Sequence, residues 1–207
     1  AGGIPIIKAL TEGLSGNTIN SIAGIINGTG NYILTEMREK GRTFDDALAD
    51  AQRLGYAEAD PTFDIDGTDA AQKLVILSAL AFGSSLDVSH CYQEGISSVY
   101  PADIRYALEM GYEIKHLAIA RNSDAGLEMR VHPTLVKQNE LLAKVAGVMN
   151  AVFVDSDAAG PSLFYGAGAG AEPTASAVVA DIVDLGAKYD TVAQQASVLS
   201  PREIRYI

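Results

Sequence analysis

Between Gly55 and Lys73 the chain reads GYAEADPTFDIDGTDAAQK, which sets Glu58, Asp60, Asp64, Asp66 and Asp69 ahead of a single amine. Asp69 and Lys73 stand four apart at the start of a helical pattern, so their side chains share one face, in the acid-before-base order that favours an ion pair. On an open helix surface such a pair contributes only roughly 0.3 kcal/mol. Lys73, however, is followed at once by LVILSALAF, a run apolar enough to require burial. The amine therefore enters at the edge of a core rather than in open water. An amine there, with carboxylates just upstream, can serve as a general acid or base, its proton affinity set by burial and neighbouring charge. The carboxylates themselves read in two ways. DPTFD and DIDG are ordinary turn sequences whose acids are solvated. Two or three of them can also cradle the ammonium group of an amino acid without a metal, and this is the reading preferred. Calcium fits poorly, because Asp60, Asp64 and Asp66 miss the D-x-D-x-D-G spacing and no glutamate closes the loop. A pair of acids facing across a cleft, as glycoside hydrolysis requires, cannot be judged from local sequence.

The elements that must position these groups follow from periodicity and turn residues. IPIIKALTEGL has helical spacing, with Pro5 near its first turn. NTINSIAGIING reads as a strand ending in the turn NGTGN, after which Thr29 is expected to cap a helix, GNYILTEMREKG, closed by Gly41. Thr43 and Asp46 resemble a capping box for FDDALADAQRLG, which stops at Gly55. The acidic stretch is expected to be a loop, and TDAAQKLVILSALAFG a buried helix. Further on, PADIRYALEMG is a short helix, and EIKHLAIARNSDAGLEMRVHPTLV gives two strands joined at NSDAG. LLAKVAGVMN is a brief helix, AVFVDSDAAGPSLFYG a second hairpin, PTASAVVADIVDLGAKY a helix and VLSPREIRYI a final strand. Hairpins beside helices predict an α+β fold: one domain over residues 1–207, with a mixed, largely antiparallel sheet and helices packed on one face.

Bulk properties exclude several functions. The chain has 207 residues, 48% hydrophobic and 20% charged, which suits a folded domain with a sizeable core. A net charge of −11 and the lack of any Lys/Arg cluster argue against nucleic acid and anionic lipid as partners. No apolar run approaches the roughly 18–20 residues of a membrane helix. Cys91 is the one cysteine, so no internal disulfide forms, and a cytoplasmic, reducing compartment is expected. His90, His116 and His132 show no metal-ligand spacing with Cys91. His116 alternates with apolar residues and reads as structural, while Lys115 beside it faces the other side of the sheet. Cys91 reads as a small buried residue, and Tyr165 as either core packing or the wall of a cleft. The start AGGIPIIKAL has no initiator methionine, which suggests a fragment of something longer.

Four segments carry a resemblance: GGIPIIKAL, GIINGTGNYIL, AQRLGYAEADPTFDIDGTDAAQK and GAGAGAEPTASAVVADI. In this order, from Gly2 to about Asp184, they resemble the substrate-binding and catalytic region of homoserine dehydrogenase. The resemblance implies reversible hydride transfer between L-homoserine and L-aspartate 4-semialdehyde with NAD or NADP, a step of threonine, methionine and isoleucine synthesis. Lys73 matches the family's proton-donating lysine. Glu58 and Asp69 match the carboxylates that hold homoserine; Asp64, Tyr56, Gly28 and Thr29 match further pocket positions. Gly55 and Gly170 match glycines whose backbone approaches the nucleotide. The carbonyls of Gly2 and Ile4 match part of a sodium site. A homodimer through the sheet is also implied. The family's N-terminal Rossmann domain, with a second catalytic lysine and the other sodium ligands, is expected to be absent here. So is the regulatory ACT domain of some members. GAGAGA does not replace the Rossmann domain, because Ala171 occupies the last glycine position of G-x-G-x-x-G and too little chain follows. Its glycines read as close backbone approach to the cofactor or as a flexible turn before Pro173. The isolated chain is therefore expected to be inactive. The runner-up reading is a non-catalytic binding or oligomerisation module of the same fold, which would not require Lys73, Glu58 and Asp69 together. A semialdehyde or glyceraldehyde-3-phosphate dehydrogenase would want a nucleophilic cysteine, and Cys91 lies outside any such motif.

Overall fold

In the computed structural model, which describes residues 2–188, the alternating stretch INSIAGI becomes a strand near the centre of one six-stranded sheet. In chain order the elements are α1 (Ile6–Lys8, continued by a wider turn over Ala9–Gly13), β1 (Ile19–Ile25), α2 (Gly28–Lys40), α3 (Phe44–Arg53), α4 (Thr62–Ile65) and α5 (Thr68–Phe82). Then come β2 (Cys91–Gln93), α6 (Pro101–Glu109), β3 (Tyr112–Ser123), β4 (Gly126–Lys137), β5 (Met149–Ser156), β6 (Gly160–Ala167) and α7 (Ala171–Lys188). The strand order is β2-β4-β3-β1-β5-β6. Every neighbouring pair is antiparallel except β2 with β4, so the sheet is mixed and largely antiparallel as expected.

Strand alternation sends one set of side chains to each face. Ile22, Ala118, Ala120, Leu127, Met129, Val131, Val152 and Val154 pack against Ala70, Ala71, Leu74 and Val75 of α5. At one end of the same face α2, α3 and α6 bury Ile33, Met37, Ala47, Ala51 and Ile104 together, with Ile114 of β3 beneath them. The helices thus lie on one face. Among the described residues the opposite face carries only the short turn Leu141–Lys144, which covers Leu117, Ile25 and Ala151. Beyond that turn, Ile119, Ala23, Phe153 and Leu163 align across four strands and are only partly buried.

Several boundaries differ from expectation for identifiable reasons. Asn27, not Thr29, caps α2: its side-chain oxygen accepts from the Gly30 N–H at 2.8 Å, while Thr29 is already inside the helix. The acidic stretch contains one helical turn, α4, started by Pro61. LLAKVAGVMN divides, with Leu141–Lys144 helical and Met149 already in β5. The short parallel strand β2 has no expectation to match, because three residues are too few to show alternation. α7 begins at Ala171, two residues before Pro173. The expected final strand VLSPREIRYI lies outside the described residues.

Candidate active site

The turn after β1 and the N-terminus of α5 meet above one edge of the core. Asn27 leaves β1 extended, and its side-chain Nδ2 donates to Asp64 Oδ1 at 2.7 Å and to Asp69 Oδ2 at 2.8 Å. The same Asp69 oxygen accepts from Lys73 Nζ at 2.6 Å, and Nζ also donates to the Ile26 carbonyl at 3.2 Å. The Lys73 side chain is 38% exposed and that of Asp69 19%, so the pair stands at the rim of the core that its sequence context predicts. Lys73 borders a cleft of about 650 Å³ that is also lined by Gly2, Ile4, Ile26, Ile76 and Val152. As an ammonium, Lys73 has three donors; two directions are taken by Asp69 and Ile26.

Of the remaining expected residues, Thr29, Tyr56 and Gly28 lie where the start of α2 meets the loop after α3 and the segment before β5. Thr29 Oγ1 donates to the Tyr56 carbonyl at 2.6 Å, which ties the first turn of α2 to the end of the α3 loop. Tyr56 is half exposed, its ring edge-on to Tyr32 at 5.0 Å between centroids. Tyr32 in turn donates to Asp50 at 3.0 Å, and its hydroxyl pKa is pushed up to about 12, first by burial and then by that bond. Gly28 packs so tightly that a Cβ there would lie 2.9 Å from the Val148 carbonyl oxygen. Glu58 sits on the exposed loop, its carbonyl accepting from Gln52 at 3.0 Å, and its carboxylate stands outside the Asn27–Asp64–Asp69–Lys73 group among the described residues. Gly55 follows α3 with φ 76°, a left-handed turn that ends the helix.

The glycine-rich stretch has a structural account of its own. The Gly2 N–H donates to the Gly168 carbonyl at 2.7 Å, and Gly3 N–H to that of Ala167 at 3.1 Å. A Cβ on Gly168 would overlap the Asn150 carboxamide. These glycines thus allow the N-terminal segment and Asn150 to approach the loop. Gly170, at φ 124°, accepts from Thr174 N–H at 3.1 Å and opens α7. The Ile4 carbonyl accepts from Ile6 N–H at 2.8 Å. A hard cation takes several oxygen ligands, so Gly2 and Ile4 alone do not make a sodium site. No cluster of three or more His, Cys, Asp or Glu suited to a metal occurs among the described residues.

His116 is buried on the helix side, and its Nε2–H donates to the Glu94 carbonyl at 2.9 Å. Its ring touches the space a side chain would need at Gly67, the residue that starts α5. Lys115 points to the opposite face, donating to the Val145 carbonyl at 2.7 Å, as alternation requires. Cys91 is buried, and burial pushes its thiol up to about 11, a poor nucleophile. Tyr165 pairs with Ala151 on the open sheet face and is exposed, so it neither packs in the core nor lines the cleft. The residue missed in the sequence is Asn27. Its type and place, an asparagine ahead of a helical run, carried the cap signal that was assigned to Thr29.

A lysine hydrogen-bonded to a carboxylate at a cleft can pass a proton to or from a substrate oxygen. Two carboxylates joined beside it can receive an ammonium. The family model described as homoserine dehydrogenase matches residues 5–183. The chain belongs to the homoserine dehydrogenase family. It is 64% identical over 185 residues to the homoserine dehydrogenase of Pseudomonas aeruginosa, covering 89% of this chain and 43% of that one. It is 46% identical over 211 residues to that of Mycobacterium tuberculosis, covering 100% of this chain and 47% of that one. The crystal structure of a homoserine dehydrogenase from Thiobacillus denitrificans superposes with a TM-score of 0.96 at 56% identity, covering 100% of this chain and 49% of that one. A hyperthermophilic archaeal homoserine dehydrogenase mutant in complex with NADPH gives 0.75 at 32% identity, over 90% of this chain and 53% of that one. The chain therefore spans less than half the length of the bacterial homoserine dehydrogenases named here.

Proposed function

We propose that this chain forms the substrate-binding and acid–base part of an NAD- or NADP-dependent enzyme that interconverts L-homoserine and L-aspartate 4-semialdehyde, with residues 1–207 as one domain of it. The observation that carries the reading is the hydrogen-bonded Asn27–Asp64–Asp69–Lys73 group, whose Lys73 borders the cleft and whose Asp64, Asp69 and Lys73 are the residues the family resemblance assigns to substrate and proton transfer. In the oxidation direction Lys73 Nζ accepts the proton of the C4 hydroxyl. In the reverse direction it donates that proton to the aldehyde oxygen, where negative charge builds. Asp69 holds the lysine and, with Asp64 and Glu58, attracts the substrate ammonium. Glu58 lies on an exposed loop, from which it joins the substrate rather than the resting hydrogen-bonded group. Tyr56, Gly28 and Thr29 form the pocket wall. A nicotinamide cofactor would supply the hydride acceptance and donation that this reaction needs at C4 of the substrate. Gly55 and Gly170 provide backbone free of side-chain obstruction on the cofactor side, and the NADPH complex of the archaeal relative supports that cofactor class. Most of the nucleotide contacts belong to the part of the relatives' length that this chain does not span.

Three coarser expectations join this reading. A homodimer through the open sheet face is supported by the row Ile119, Ala23, Phe153 and Leu163. A cytoplasmic enzyme accords with one buried free thiol and with the lack of any membrane-length apolar helix among the described residues. Sodium at the Gly2 and Ile4 carbonyls would need ligands from outside this chain. The test is spectrophotometric: the full-length parent should reduce NAD⁺ or NADP⁺ in the presence of L-homoserine, and the 207-residue chain alone should not. A parent that shows no homoserine-dependent reduction with either cofactor would overturn the proposal. Activity in the isolated chain would overturn the assignment of the nucleotide contacts.

A further inference from the structure

Asn27 does more than cap a helix. Its Oδ1 accepts from the Gly30 N–H at 2.8 Å, and that bond fixes which end of the carboxamide is oxygen. The –NH₂ end must then face the acids. Its two protons go one each to Asp64 Oδ1 and Asp69 Oδ2, at 2.7 and 2.8 Å. Two carboxylates that share a site repel. A neutral dual donor between them holds them together without adding charge. Asp69 Oδ2 accepts at once from Asn27 and from Lys73, so the amide also sets the angle at which Asp69 meets the lysine. The charged groups that face Asn27 are Asp64 from α4 and Asp69 from α5, with Lys73 behind Asp69. Asn27 itself is buried, so water does not substitute freely for its donors.

We propose, resting on the homoserine dehydrogenase reading above, that Asn27 is a positioning residue: its paired donors clamp the Asp64 and Asp69 carboxylates together and so fix how Asp69 meets the proton-transferring Lys73. The helix cap and the clamp are separable, because Asp and Ser cap helix N-termini about as well as Asn. Asn27→Asp keeps the cap and replaces both donors by a third carboxylate. Asn27→Ser keeps the cap and replaces the two amide donors by one shorter hydroxyl, which cannot bridge both carboxylates, without adding charge.

The experiment is the pH profile of homoserine oxidation by the full-length parent, for wild type and both variants, with thermal midpoints measured alongside. Lys73 must be uncharged to accept the hydroxyl proton, and added negative charge beside it favours its charged form. Asn27→Asp is therefore expected to move the acid limb of kcat upward by about one pH unit, the scale of one added nearby charge. Asn27→Ser is expected to lower kcat/KM about 10- to 100-fold, the scale of lost hydrogen bonds to charged groups, with little change in thermal midpoint. Wild-type kcat/KM and an unmoved acid limb in both folded variants would overturn the proposal. So would losses that follow the thermal midpoint alone with the profile unchanged. If Asn27→Asp fails to fold, Asn27→Ser decides through its kcat/KM. A wild-type parent with no homoserine-dependent activity is a different failure, since it removes the function reading and this inference with it.

Discussion

Lys73 holds its position by two acceptors of different kinds, a carboxylate from its own helix and a backbone carbonyl from the neighbouring strand end. The carboxylate follows from the spacing of four in the sequence. The Ile26 carbonyl does not, because a backbone group carries no residue-type signal. The same holds for Asn27, whose three partners lie on three segments that only the fold brings together. His116 supports the site from below by holding the Glu94 carbonyl, and the next residues bind α4, with Ile96 N–H donating to the Ile65 carbonyl at 2.9 Å. Burial holds the His116 imidazole below its ordinary value of 6.5. The unfolded chain therefore takes up a proton below about pH 6.5 that the folded chain resists, so stability is full above that pH and falls as pH drops through it. Thermal melts between about pH 8 and pH 5 should show this fall in wild type and a smaller one in His116→Gln. An unchanged difference between the two proteins across that range would remove His116 from the account.

The elements divide by length in how well the sequence announces them. β1, the hairpin β3–β4 and helices α2, α3, α5 and α7 each carry enough residues for periodicity and caps to show. Thr43 caps α3 as expected, its hydroxyl oxygen accepting from the Asp46 N–H at 3.2 Å, but that hydroxyl donates to the Asp46 carboxylate at 2.7 Å in place of the return bond of a full capping box. β2 and α4, three and four residues long, are made by their neighbours rather than by their own pattern. Close approach is the other hidden determinant. Gly28 was read only through a family match, yet its place against the Val148 carbonyl explains the glycine physically. Gly28→Ala is expected to push the first turn of α2 from β5, at a cost of about 1–3 kcal/mol and with raised KM for homoserine. Gly186→Ala, in α7 where nothing lies within 4 Å of the new methyl, is expected to be neutral or stabilising by roughly 0.5–1 kcal/mol. Chemical denaturation of the two variants checks both signs. Equal stability losses would show that the contact at Gly28 is not the cause.

At the scale of the molecule, two apolar surfaces stand open among the described residues. The open sheet face presents Ile119, Phe153 and Leu163, with Tyr165 exposed beside them. α7 exposes Val178, Val179, Ile182, Val183 and Leu185 near the cleft that Lys73 borders. Contiguous exposed apolar area of this kind is a mark of interaction sites. If the sheet face forms the homodimer, Phe153→Lys should give a monomer by sedimentation velocity at micromolar concentration, and a persistent dimer would place the interface elsewhere. The central claim concerns Lys73. Its most direct test is steady-state homoserine oxidation by the full-length parent carrying Lys73→Ala, with the melting temperature as a control for folding. In a protein that still folds, kcat is expected to fall by about 100-fold or more, the scale of a lost acid–base group. A folded variant with near-wild-type kcat would contradict it and leave Lys73 as half of an ion pair at the rim of the core.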